Sequence, residues 1–256
     1  SVYAKHYPLN AKNMHPLICK IGPFTIYSYG LMLAIAFLIS STLAVFQAKK
    51  QKINPDIIFN LSFIAFISGI IGARILYIIE NIIYYLRNPL EIIMLQRGGL
   101  SWFGGLILGL LCSIVYLKKK KLSIYRILDL MSPFVALGQA IGRVGCLLNG
   151  CCFGKISKFG IYFPASKLVL IPTQIYSSLA LVFIFIILRF LQERPHKESE
   201  IFFTYLILYS AKRFFIEFWR ADNEIILLGL TLFQILSIII FCIAIVKMAL
   251  IKKSKN

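Results

Sequence analysis

Seven stretches of this chain are long and apolar enough to cross a bilayer, and nothing else in it constrains the fold as tightly. They run approximately over residues 27–46, 57–79, 99–117, 127–148, 173–191, 201–218 and 225–246. A spanning helix needs about 20 mostly apolar residues, and lipid leaves backbone N–H and C=O groups no partner outside their own helix. The composition agrees. Hydrophobic residues make up 59% of the 256 and charged residues only 15%, against about 45–50% and about 25% in a soluble domain. A water-soluble enzyme is excluded. The expected fold is an all-α integral membrane protein of about seven transmembrane helices joined by glycine-rich outer-face loops. We read residues 1–256 as one membrane-embedded domain, with a polar N-terminal segment 1–20 and a basic tail 247–256. Lys5, His6, Lys12, His15 and Lys20 make the beginning unlike a cleaved signal peptide, so the first span is expected to be retained.

The charge is lopsided, with 28 Lys and Arg against 10 Asp and Glu, a formal +18. In a soluble chain that excess would suggest nucleic acid. Here the basic runs, such as Lys118 to Lys121, directly flank apolar stretches. No nucleic-acid partner is expected; the charge orients the helices and meets anionic membrane lipids. With the N-terminus outside, the inner segments hold 15 basic residues and the outer ones 9. The chain therefore reads as multi-pass in a bacterial cytoplasmic membrane, N-terminus outside and C-terminus cytoplasmic.

Four basic residues remain within or at the edges of spans: Arg74, Arg143, Lys212 and Arg213. A charge at mid-membrane costs at least about 2.5–3.5 kcal/mol, so such residues face a cavity or a partner. The acids in the same layer are Glu80, Asp129 and Glu217, with Asp222 just beyond. Arg213 and Glu217 lie four apart, on one helix face. Asp129 stands where it caps its own helix or pairs with Arg126. For Arg74 and Lys212, snorkelling to the interface is a sufficient reading.

Arg143 resists that reading because of its neighbours. The segment Gly138-Gln-Ala-Ile-Gly-Arg143-Val-Gly-Cys146-Leu-Leu-Asn149-Gly150-Cys-Cys-Phe-Gly154 holds five glycines around one arginine and one asparagine. Close helix contact accounts for Gly138 and Gly142 but not for the arginine followed by Asn149-Gly150. A helix breaking near the outer interface, with backbone N–H groups exposed beside a guanidinium, suits a phosphate ester. A second cluster, Gly98-Gly99-Leu-Ser101-Trp-Phe103-Gly104-Gly105, opens the third span. It reads either as a re-entrant pocket loop or as a flexible helix start with Trp102 in the interfacial belt. Tyr29, at the outer end of the first span, adds a phenol.

Six cysteines are present. Cys112 and Cys242 lie inside apolar runs and read as small hydrophobes. Only the neighbours Cys151 and Cys152 invite redox or metal chemistry. They have no nearby histidine and no CxxC spacing, so no metal is expected.

The segments Gly99-Leu-Ser-Trp-Phe-Gly-Gly, Gly142-Arg-Val-Gly-Cys-Leu-Leu-Asn-Gly and Arg213-Phe-Phe-Ile-Glu-Phe-Trp-Arg-Ala-Asp222 resemble, in order, the signature segments of the prolipoprotein diacylglyceryl transferase family. Tyr27-Ser-Tyr-Gly-Leu-Met, Gly72-Ala-Arg and Pro172-Thr-Gln-Ile-Tyr are similar to further family positions, so the likeness runs from about residue 17 to 250. The resemblance implies seven spans, an outside N-terminus and no cofactor. The implied partners are phosphatidylglycerol and the signal peptide of a prolipoprotein with its lipobox cysteine. The implied reaction moves a diacylglyceryl group to that thiol and releases glycerol 1-phosphate. Carried over by motif, Arg143 and Arg213 are the catalytic and head-group candidates. Glu217 and Arg220 support them, Asn149 and Gly154 shape the outer loop, Tyr29 lines the pocket, and Gly99, Ser101, Phe103 and Gly104 form the glycine loop. This chain departs from the family in four places. Phe103 stands where many members carry a histidine, Cys146 replaces an asparagine, Cys151 replaces an acid, and Tyr176-Ser177 lacks a glutamate. Base catalysis by a glycine-loop histidine is therefore excluded. Two other readings remain: a transporter or flippase for an anionic lipid or small anion, and a catalytically silent relative that only binds lipid or preprotein. The first is opposed by the absence of an internal repeat.

Overall fold

Helices form where the apolar runs are long, and they stop where the backbone finds a local cap. In the computed structural model, which describes residues 17–21, 24–93, 99–164, 167–221 and 223–253, the helices are α1 (Ser28–Lys50), α2 (Pro55–Glu80), α3 (Ile82–Arg87), α4 (Trp102–Lys119), α5 (Ile124–Asn149), α6 (Thr173–Gln192), α7 (Glu200–Glu217) and α8 (Leu232–Lys253). Six of them (α1, α2, α4, α5, α6 and α8) are long and apolar enough to cross a membrane. The helix over the remaining expected span, α7, has 18 residues but carries Glu200, Lys212, Arg213 and Glu217, too many charges for an ordinary lipid-facing helix. The chain divides into two compact units, Ser1–Ser40 with Leu128–Asn256, and Ser41–Ile127.

In the 41–127 unit, α2 starts on Asn54, whose side chain accepts from the Asp56 N–H at 2.9 Å, with Pro55 as the first helical residue. α2 and α4 then approach along glycines. A Cβ on Gly72 would collide with the Gly104 carbonyl, and one on Gly104 with the Gly72 carbonyl. Packing this close offsets the helix-interior cost of glycine. Arg74 does not snorkel. It is buried, and it donates from Nε to the Ile92 carbonyl at 2.9 Å, from Nη1 to the Gly99 carbonyl at 3.0 Å and from Nη2 to the Glu91 carbonyl, with its guanidinium over the Tyr85 ring. Three backbone carbonyls, two in the short 3-10 helix Pro89–Ile93 and one at Gly99, thus receive hydrogen bonds from one fixed charge, which is why the side chain turns inward.

In the other unit, α5 is the most enclosed of the candidate spans, with 39% of its apolar window buried against 11–28% elsewhere. Pro133 inside it cannot donate to the Asp129 carbonyl. The buried Gln192 amide from the end of α6 makes up that bond, reaching the carbonyls of Asp129 at 3.1 Å and Leu130 at 3.2 Å. The Asp129 carboxylate neither caps its own helix nor pairs with Arg126. Its oxygens accept from the backbone N–H groups of Ser199 at 2.6 Å and Phe202 at 2.8 Å, so it caps α7 from across the fold. Ala136 and Ala140 of α5 are buried against Leu181, Ile184 and Leu188 of α6 and Ile201 and Tyr205 of α7. The small residues leave room for that approach.

Short antiparallel hairpins take up connections that the hydropathy pattern leaves open: β1 (Leu17–Ile21) with β2 (Phe24–Tyr27), β3 (Ile156–Phe163) with β4 (Leu168–Leu170), and β5 (Ile225–Leu227) with β6 (Leu230–Thr231). The last corrects the seventh expected span, which begins at Leu232 rather than 225. Leu228 (φ 51°) and Gly229 (φ 77°) form a two-residue turn in the left-handed region. Thr231 and Gln234 then exchange hydrogen bonds, Thr231 N–H to Gln234 Oε1 at 2.9 Å and Gln234 N–H to Thr231 Oγ1 at 3.3 Å. This is a capping box, and it fixes the start of α8.

Asp129→Ala leaves two N–H groups at a buried helix start without partners, at a cost of about 1–3 kcal/mol each. Thermal unfolding in detergent is expected to fall clearly for Asp129→Ala and less for Asp129→Asn, which keeps an acceptor; an unchanged melting temperature would contradict the capping role.

Candidate active site

The sequence puts Lys212, Arg213, Glu217 and Arg220 within nine residues, and the C-terminal end of α7 with the turn after it gathers them. Arg213 Nη2 lies 3.1 Å from Glu217 Oε2, the i,i+4 pair expected of a helix. Arg220 Nε lies 3.9 Å from the same oxygen. The other carboxylate oxygen, Oε1, accepts from Thr231 Oγ1 at 3.0 Å and from Asn223 Nδ2. The Glu217 side chain is fully enclosed and those of Arg213 and Arg220 are 11% and 9% exposed, so this pairing acts largely out of water. The Thr231 hydroxyl therefore links the capping box of α8 to the carboxylate that holds both arginines. Phe233 lies under the Arg213 guanidinium at 4.4 Å.

Two further cations join them. Lys212 does not snorkel: its ammonium donates to Ser177 Oγ of α6 at 3.2 Å and sits 4.6 Å from the Tyr209 ring centre. Arg143, half-buried near the end of α5, acts electrostatically on Lys212 and Arg213. It has no hydrogen bond or salt bridge among the described residues. Among the described residues, Arg213 and Arg220 pair with the Glu217 carboxylate, and Arg143 and Lys212 stand in electrostatic reach of Arg213 or Arg220 without pairing to it. Sequence reading left Lys212 outside this group; the available signal was its place beside Arg213, on a helix already carrying an internal acid.

The segment after Arg143 differs from expectation. α5 runs unbroken through Gly138, Gly142, Arg143 and Gly145 and ends at Asn149, where Gly150 turns left-handed (φ 70°). The Gly150 N–H bonds the Leu147 carbonyl and the Cys151 N–H the Cys146 carbonyl, closing a Schellman cap. Those two backbone donors, expected to face a phosphate, are consumed by the cap, so positive charge here comes from side chains. Gly154 pairs as an isolated bridge with Arg220, its N–H bonding the Ile171 carbonyl at 2.8 Å while Lys155 N–H bonds the Trp219 carbonyl at 2.8 Å. A Cβ on Gly154 would meet Trp219 O at 2.6 Å and Ile171 Cβ at 2.8 Å. Gly154 thus lets two strands of backbone approach and fixes where Arg220 starts. Tyr29 of α1 packs toward Gly145, whose Cβ would lie 3.4 Å from the Tyr29 ring, and is in electrostatic reach of Arg143 and the nearby thiols.

Every described member of this group comes from one unit: Tyr29, Arg143, Asn149, Gly154, Lys212, Arg213, Glu217 and Arg220. Asp222 lies outside the described residues. Beside Arg220, an open groove of about 500 Å³ is lined by Ser157, Phe159, Ile171, Tyr176 and Trp219. The arrangement can hold a phosphate ester and stabilise negative charge that grows on it.

Comparison with known proteins agrees with that chemistry. A family model described as prolipoprotein diacylglyceryl transferase matches residues 16–250. The chain is 37% identical over 216 residues to a phosphatidylglycerol–prolipoprotein diacylglyceryl transferase of Clostridium tetani, covering 82% of this chain and 86% of that protein. It is 33% identical over 243 residues to one of Streptococcus agalactiae, covering 91% and 94%, and 34% identical over 224 residues to one of Trichormus variabilis, covering 81% and 79%. The chain belongs to the prolipoprotein diacylglyceryl transferase family.

The glycine-loop residues suggested by the family likeness lie in the 41–127 unit. Trp102 begins α4, so the cluster is a helix start rather than a re-entrant loop. Gly99 (φ 81°) presents its carbonyl to Arg74. Ser101 donates its hydroxyl to Glu80 Oε1 at 3.1 Å, Phe103 stacks edge-on with Trp102, and Gly104 is buried in the seam with α2. Gly98 lies outside the described residues.

Gly154→Val is expected to push Ile171 and Trp219 away from the loop and displace Arg220, at about 1–3 kcal/mol. Thermal unfolding of the purified variant checks it, and a wild-type melting curve would contradict the close-approach role.

Proposed function

We propose that this chain transfers a diacylglyceryl group from phosphatidylglycerol to the lipobox cysteine thiol of a prolipoprotein, as one catalytic domain over residues 1–256. Among the described residues the guanidinium groups of Arg143, Arg213 and Arg220 outnumber the one carboxylate beside them, that of Glu217, and this surplus supports the reading. In the reaction a thiolate sulfur attacks the glycerol carbon that bears the phosphate. The C–S bond forms as the C–O bond breaks, the bond's electron pair stays on the phosphate oxygen, and the thiol proton passes to solvent. A singly charged phosphodiester leaves as glycerol phosphate carrying a second negative charge, and fixed guanidinium groups favour that transition state over the bound lipid. Arg143, with donors uncommitted among the described residues, is our choice for the departing phosphate. Arg213, anchored by Glu217, holds the head group, and Arg220 with Gly154 sets the rim. The same field favours the thiolate over the thiol. No glycine-loop histidine takes part, because Phe103 occupies that place. Among the described residues the only histidine is His196, in the connection between α6 and α7. We further propose an outside N-terminus and a cytoplasmic C-terminus, which put the ends of α5 and α7 at the outer leaflet where a secreted preprotein presents its cysteine.

Transfer of labelled diacylglyceryl to a lipobox peptide is expected to fall about 10²–10³-fold in Arg143→Ala, the loss typical of a missing transition-state donor, with membrane insertion intact. Arg143→Lys recovers part of it, since a point charge replaces a fork. Phe103→Ala is expected to reduce activity only modestly, through packing. Substantial transfer by Arg143→Ala would overturn the role given to Arg143.

A further inference from the structure

Three sulfur atoms meet just past the point where α5 ends. The Sγ atoms of Cys146, Cys151 and Cys152 all lie within 4.8 Å of one another, and each residue is half-buried rather than sealed. Cys146 belongs to the last turn of the helix, and the Schellman cap carries the chain back over it, so Cys151 returns to hydrogen-bond the Cys146 carbonyl. Cys152 is itself left-handed (φ 64°), an uncommon conformation for a residue with a side chain. The backbone is then locked from α6: Gln174 Nε2 donates to the Cys151 carbonyl and Thr173 Oγ1 to the Cys152 carbonyl, both at 2.7 Å. Thiols on so fixed a frame lose little freedom when they converge on a ligand. Phosphate chemistry gives none of the three a task.

We propose that Cys146, Cys151 and Cys152 form a binding site for one copper(I) ion. A metal bonded to three sulfurs at about 2.3 Å requires S···S separations of about 4.0 Å, so the cluster contracts by less than about 1 Å. The donor set is entirely soft. Among the described residues no histidine, aspartate or glutamate joins the cluster. Structural zinc takes four protein ligands, whereas an all-thiolate set short of a fourth ligand suits copper(I). The surrounding charge agrees. Three thiolates with one copper(I) carry a net charge of −2, and Arg143 and Arg220 both act on Cys152. Binding releases the three thiol protons to solvent and changes no oxidation state. The site stands independently of the transferase reading, since its occupancy is measured with no lipid or peptide present.

The test uses the full chain in detergent, reduced and under anaerobic conditions, titrated with copper(I) against a chromophoric copper(I) chelator. One ion per chain is expected to be withheld from the chelator. Cys146→Ser, Cys151→Ser and Cys152→Ser should each weaken retention at least tenfold, while Cys112→Ser and Cys242→Ser should leave it unchanged. A second measurement needs no substitution: pulse alkylation of the unmodified chain, read by mass spectrometry. Copper(I) is expected to protect Cys146, Cys151 and Cys152 and to leave Cys112 and Cys242 as reactive as before. Equal retention in wild type and Cys151→Ser, protection that does not distinguish the three from Cys112 and Cys242, or displacement of copper by equimolar zinc would each overturn the proposal.

Discussion

The Glu217 carboxylate holds together a group of charges that would otherwise repel one another. An unpaired ion taken out of water costs several kcal/mol, and removing one partner of a buried pair is correspondingly damaging. Glu217 meets Arg213 and Arg220 through one oxygen and Thr231 and Asn223 through the other. The carboxylate therefore does two things at once. It permits two guanidinium groups at and just beyond the end of α7, and it ties them to the start of α8. Among the described residues one acid serves two arginines with Arg143 nearby, so this group carries a positive surplus. In the proposed reaction an anionic lipid head group would supply the balancing negative charge on binding, and the leaving phosphate would supply more as the bond breaks.

The helices around this group are built so that its parts hold their places. Pro133 removes a hydrogen bond from α5 and Gln192 makes it up. Asp129 spends its carboxylate on the N–H groups that begin α7. α7 is thereby capped at one end by a buried acid and anchored at the other by Glu217, which makes it a rigid carrier for the cations. Gly150 and Gly154 handle the return of the chain after α5, the first by a left-handed cap and the second by a close backbone approach to Arg220. Both keep Arg143 and Arg220 on fixed elements instead of mobile loops.

Much of this was legible in the residues because bilayer thickness leaves few choices. Most expected spans match helices to within a few residues, since about 20 apolar residues have no other stable form in lipid. The Arg213–Glu217 pair was likewise readable from its spacing. Other features were hidden where apolar residues do something other than span. Ile225 to Leu227 look like the start of a helix, yet they form a strand, because Leu228-Gly229 makes the turn and the Thr231–Gln234 box starts the helix later. Partners distant in sequence left no periodic trace: Asp129 with Ser199, Gln192 with Asp129, Lys212 with Ser177, and Arg74 with the carbonyls before α4. The convergence of Cys146 on Cys151 and Cys152 depends on a left-handed cap, which spacing alone does not reveal.

The central claim is that the cationic end of α7, with Arg143, drives displacement of a phosphate by a thiol. The direct measurement is release of glycerol phosphate by the purified protein incubated with phosphatidylglycerol and a lipobox peptide. Release in step with thioether formation, abolished when the peptide cysteine is replaced by serine, is the predicted result. Lipid bound or moved across a bilayer with no thiol-dependent release of glycerol phosphate would contradict it.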